Sequence, residues 1–147
     1  QVEGVGEQRL DYYLGPCQVV RARVGRGERV SHAMLADPID SPRVLIATDT
    51  YPDPQRWNED FAGLEPALVD DLAARNVRLV GIDTPSVDLF SSKDLPAHGR
   101  FLAHDLAILE GLILTAVPSG RYELIALPLK LAGFDASPVR AVLRSLR

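Results

Sequence analysis

The chain has 147 residues, 46% of them hydrophobic and 24% charged, with a formal net charge of -4. This is one domain's length of ordinary globular composition, able to bury roughly 70% of the surface its unfolded chain exposes, and it argues against a disordered chain. Both signs of charge are mixed along the chain, so nucleic acid is disfavoured as a partner and no polybasic tail would hold an anionic membrane.

Residues 17–24 (CQVVRARV) are rich in β-branched side chains and stop at Gly25-Arg26-Gly27, which predicts a strand closed by a turn. A polar crossover follows, with Pro38 and Pro42 and room for a short helix at 31–36. Residues 43–48 (RVLIAT) predict a second, more continuously apolar strand, and 49–58 turn polar with Pro52 and Pro54, an irregular loop that presents Trp57. From 64 to 75, Leu64, Leu68 and Leu72 recur at helical spacing, with Pro66 early and Asn76 after the last turn. Residues 77–82 (VRLVGI) predict a buried strand that delivers Asp83-Thr84-Pro85-Ser86 into a loop, so strand, helix and strand make a βαβ-type unit with its working loops at the strand ends. Later, 122–127 predict a strand, and 139–143 a strand or a short helix. No repeat or linker divides the chain, and no apolar run approaches the roughly 20 residues of a membrane span.

Two residues stand out chemically. His98 and Glu110 are twelve positions apart, which in one continuous helix would separate them by about 18 Å. To share a metal ion, the chain must leave a helix that begins near Pro96 and fold back before Glu110; the apolar run 107–114, with Gly111 as a break, permits this. A carboxylate in such a run is costly to bury unless paired or metal-bound. Other readings stand beside the metal site: His98 as a capping or surface residue, and Glu110 paired with Arg100 or facing solvent. His104 falls on another helix face, and His32 has no partner identifiable in sequence. Ser86 lacks a G-x-S-x-G elbow, and Cys17, the only cysteine, reads as a small core residue in a chain with no internal disulfide. Gly25-Arg26-Gly27 lacks the third glycine of a dinucleotide fingerprint. Trp57 is either a wall for an aromatic substrate or a partly buried core aromatic.

Taken together, GIDTPSVD, SKDLPAHGRFL, ILEGL and YELIALPLKLAGFDASPVRAVL resemble the bacterial metal-dependent kynurenine formamidases of the cyclase-like hydrolase family, over about residue 10 to the C-terminus. The resemblance implies an α/β, swivelling β/β/α fold, a homodimer, and hydrolysis of N-formyl-L-kynurenine to L-kynurenine and formate in tryptophan catabolism; the single cysteine makes a reducing cytoplasm the expected compartment. It implies two zinc ions held by an N-terminal H-x-G-T-H-x-D-type motif and a later His and Glu, which His98 and Glu110 match. A further His near that motif is the family's acid/base. No H-x-x-x-H-x-D pattern occurs between Gln1 and Arg147, so the chain is expected to be the C-terminal part of a longer family domain, with no catalytic acid/base of its own. Related alternatives are a hydrolase of another aryl amide or lactam, such as an isatin hydrolase, or a noncatalytic module of this fold.

Overall fold

A computed structural model describes residues 4–146. Its centre is a six-stranded sheet in the order β6-β5-β3-β1-β7-β8, formed by β1 (Leu14–Arg21), β3 (Arg43–Ala47), β5 (Leu79–Ile82), β6 (Ala107–Leu109), β7 (Gly120–Ile125) and β8 (Val142–Ser145). β1, β3, β5 and β6 run parallel, and β7 and β8 complete the sheet antiparallel. A separate parallel pair joins β2 (Arg29–Val30) to β4 (Gly63–Leu64).

The parallel strands are buried on both faces, which is why β3 and β5 read as continuous apolar runs rather than alternating ones. Val44, Ile46, Val80 and Ile82 face helices α1 (Pro66–Ala74) and α2 (Pro96–Ala103) through Leu68, Val69, Leu72, Ala97 and Phe101. Leu45, Ala47 and Leu79 point to the opposite face, against Tyr13, Cys17, Leu109 and Leu114. Burying each Leu or Val of α1 contributes about 1.5–3 kcal/mol, so packing rather than propensity holds this nine-residue helix.

Several elements depart from the bounds that sequence spacing predicts, the strand expected at 122–127 running Gly120–Ile125 among them. The first strand was expected over 17–24, but it runs Leu14–Arg21, because its amino half pairs with β7 from Leu14 onward and the chain leaves the sheet at Ala22 to bridge Leu35. Leu64 was expected in the helix with Leu68; it sits instead in β4 opposite Val30, and the helix begins two residues later at Pro66. The strand-or-helix alternative at 139–143 resolves as an edge strand displaced to Val142–Ser145, fixed by β7. The short helix expected at 31–36 is a single 3-10 turn, His32–Met34.

Candidate active site

Strands β3, β5 and β6 end side by side, so their carboxyl ends deliver Thr48-Asp49, Asp83-Thr84 and Glu110-Gly111 to one edge of the sheet, the usual place for a ligand site in a parallel sheet. The loops are stitched together there: Gly111 N–H donates to Thr84 O at 2.8 Å and Leu112 N–H to Ile82 O at 3.1 Å.

After α2 the chain turns through Asp105, at φ 54°, into β6, which brings Glu110 back to His98. His98 Nε2 lies 3.3 Å from Glu110 Oε1, with the two side chains 34% and 32% exposed. Glu110 Oε1 is fixed by the backbone N–H of Val87 at 2.9 Å. On the other side of the ring, His98 Nδ1 lies 2.9 Å from Asp88 Oδ2.

Asp88 closes the GIDTPSVD motif, a position that is the one sign of its role in the sequence. Its side chain is fully buried and accepts from the N–H groups of Ala97 and His98 at 3.0 Å each and from Arg29 Nη1 at 2.9 Å. It thus caps α2 from a distant loop. That matters because the residue in the capping position, Leu95, has φ 46° and offers no side-chain bond; such a left-handed backbone costs on the order of 1–3 kcal/mol. Burial alone would raise the Asp88 carboxyl, but the His98 and Ala97 N–H groups, the His98 ring and Arg29 outweigh it and hold the group below its ordinary value.

An ionised Asp88 only accepts, so His98 Nδ1 carries the proton and Nε2 is left facing Glu110. Two acceptors 3.3 Å apart repel unless a positive charge sits between them. With a proton there, Glu110 chiefly, opposed by burial and helped by Asp88, pushes the imidazolium up to about 9. A metal ion fits the same gap: ligand bonds of about 2.0–2.1 Å at tetrahedral angles place neighbouring ligand atoms about 3.3–3.4 Å apart. The buried carboxylate on the far ring nitrogen is the usual support of a metal-bound His. The 3.3 Å distance equals the spacing of two neighbouring ligands, but among the described residues no group of three or more His, Cys, Asp or Glu gathers as a metal site.

The remaining candidates fall into place. Arg100, the alternative partner of Glu110, pairs with Asp70 at 3.6 Å. His104 lies 2.7 Å from Asp70, and His32 lies 2.6 Å from Asp71 on the same helix. Cys17 is buried, and burial pushes its thiol up to about 12. Ser86 accepts from Asp88 N–H, a loop contact. Trp57 is 56% exposed and packs edge-on against Tyr51, Phe61 and Phe90 with ring centroids 5.8–6.1 Å apart. It also walls a cavity of about 200 Å³ together with Tyr51, Pro85 and the 111–115 segment that follows Glu110. That volume admits one aromatic ring, since an apolar cavity of about 150 Å³ takes benzene. Arg21 ties the two sides of the cavity by pairing with Asp49 at 3.0 Å and donating to Leu114 O and Val117 O.

No protein-family model matches the chain. Among solved structures it superposes on a potential metal-dependent hydrolase with cyclase activity, at TM-score 0.80 and 28% identity over 97% of this chain and 69% of that one. It matches a predicted metal-dependent hydrolase from Bacillus stearothermophilus at TM-score 0.78 and 29% identity, over 92% and 65% of the two chains. Its fold is that of the cyclase-like metal-dependent hydrolases. Isatin hydrolase A from Labrenzia aggregata shares this cyclase-like fold at TM-score 0.76, with 24% identity over 94% of this chain and 63% of that one. The two proteins at 28% and 29% identity are named as metal-dependent hydrolases, and the likeness at 24% shows the fold alone. The chain spans about two thirds of the length of the solved cyclase-like structures it matches. Among the described residues no helix is long and apolar enough to cross a membrane.

Proposed function

We propose that this chain forms the His98–Glu110 half of a zinc-dependent aryl formamidase, which hydrolyses N-formyl-L-kynurenine to L-kynurenine and formate in tryptophan catabolism and works as a cytoplasmic homodimer. The observation that supports this reading most is the Nε2–Oε1 pair at 3.3 Å, held from behind by a fully buried carboxylate. His98 and Glu110 would hold one of the two zinc ions of this reading. Asp88 keeps the proton on Nδ1 so that Nε2 presents its lone pair, and Val87 N–H aims the Glu110 carboxylate. Zinc, when bound, supplies a nucleophile near neutral pH and polarises the formyl carbonyl. Trp57 packs against the anilide ring, and the aromatic cluster behind it keeps that wall rigid. This reading requires the remaining ligands and an acid/base His from outside these residues, and the chain covers 69% and 65% of the two hydrolase structures it matches.

A second reading, hydrolysis of a cyclic aryl amide, follows from the isatin hydrolases that share the fold at 24% and 18% identity, and it would draw on the same His98–Glu110 pair. Metal analysis of the whole protein with parallel turnover of N-formyl-L-kynurenine and isatin separates the two. Absence of both zinc and hydrolysis sinks the enzymatic reading in favour of a noncatalytic module. His98→Ala should lower zinc occupancy; unchanged occupancy refutes the ligand assignment.

A further inference from the structure

Asp83 follows β5 directly and is 6% exposed, yet among the described residues its carboxylate spends all its hydrogen bonds on two residues of a different loop. Oδ1 and Oδ2 accept from Thr48 N–H at 3.0 and 2.9 Å, Oδ1 accepts from the Thr48 hydroxyl at 2.6 Å, and Oδ2 accepts from Asp49 N–H at 2.9 Å. Asp49 sits at φ 56°, a left-handed backbone that persists only where its surroundings enforce it. The Thr48 hydroxyl also meets the Thr50 hydroxyl at 2.8 Å, and Thr50 in turn accepts from Ala62 N–H, so both ends of the loop that carries Tyr51 and Trp57 are tied into one buried network. Asp83 and Asp49 both border the cavity that Trp57 walls.

We propose that Asp83 is a positioning residue for substrate binding. Its carboxylate clamps the turn at Thr48 and Asp49 and thereby sets the distance between the Tyr51/Trp57 wall and the segment following Glu110, the slot for a flat ring. This rests on the aryl amide reading above. An uncharged amide at position 83 supplies one acceptor where two are needed and sets an N–H group against backbone N–H donors, so the turn loses its anchor while the sheet keeps its register.

The test is Asp83→Asn in the whole protein, with Thr48→Val as a milder variant that keeps both backbone donors and removes the hydroxyl. Hydrogen exchange by mass spectrometry should quicken by about tenfold or more over residues 49–58, with β3 and β5 unchanged. Metal content should be retained, and KM for an aryl formamide should rise by about fivefold to tenfold with kcat nearly constant, as expected for lost uniform binding. Unchanged exchange over 49–58 overturns the proposal, as does an equal rise in β3 and β5, which marks a clamp of the whole fold. Should Asp83→Asn fail to fold, Thr48→Val decides by the same readouts. A parent protein that hydrolyses no aryl amide overturns the proposed function, and the exchange data alone then decide the clamp.

Discussion

Asp88 Oδ2 lies 2.9 Å from His98 Nδ1 while also accepting the backbone N–H of the same residue at 3.0 Å, so one buried carboxylate fixes both the ring and the backbone of His98. Orientation of the imidazole is therefore set before anything binds to its outer nitrogen.

Replacing Asp88 with Asn keeps the shape but removes the charge that faces Arg29 and holds the His98 tautomer. Zinc affinity, measured by competition with a chromophoric chelator, should fall about 10–100-fold. Stability in the metal-free form should drop by about 1–3 kcal/mol, read from denaturant midpoints. Unaltered zinc affinity in a folded variant would refute the role of Asp88.

The metal-free protein should lose stability as pH rises. The His98 imidazolium between Glu110 and Asp88 is raised from its ordinary 6.5 to about 9, with Arg29 beyond Asp88 as the nearby like charge. A raised folded-state value means that the contribution is complete below about 6.5 and disappears as pH climbs through about 9. Denaturant midpoints at pH 6 and pH 9.5 should differ, and His98→Gln should flatten the difference; an equal slope in both proteins contradicts the assignment.

Gly63→Ala should damage the site through the backbone. A Cβ there would stand 2.9 Å from Val87 O and 3.0 Å from Leu89 N, the segment that carries Asp88 and bonds Glu110. Backbone atoms cannot swing aside as side chains do, so a loss of about 1–3 kcal/mol is expected, with weaker zinc binding. Wild-type zinc affinity in this variant would show that the Val87–Leu89 segment shifts without consequence for the pair.

Cys17 should be inert in the folded protein. Its side chain is 1% exposed and burial pushes its thiol up to about 12, so the reactive thiolate is absent at pH 8. A thiol reagent should label it rapidly only in denaturant; rapid labelling of the native chain would contradict the packing of this face.

Several features were legible from residue order alone. Apolar runs at 43–48 and 77–82 became strands β3 and β5, because a strand buried on both faces needs no partner to declare its character. Leu68 and Leu72 became the core face of α1. Pro96 marked the helix start, whereas the turn that brings Glu110 back to His98 falls at Asp105, ahead of the break expected at Gly111. Leu64 misled because a period-of-four match is equally produced by a strand residue packed beside a helix.

What residue order determined was therefore the parallel-strand framework, the existence of the two candidate ligands and the need for a chain reversal between them. Only tertiary structure decided that Asp88 stands behind His98, that Arg100 turns to Asp70 rather than Glu110, and that Asp83 grips Thr48. Periodicity records which side of an element is apolar. A buried carboxylate's partner is chosen by which loops the sheet brings to one edge, and that choice is made by long-range strand register, which no local pattern encodes.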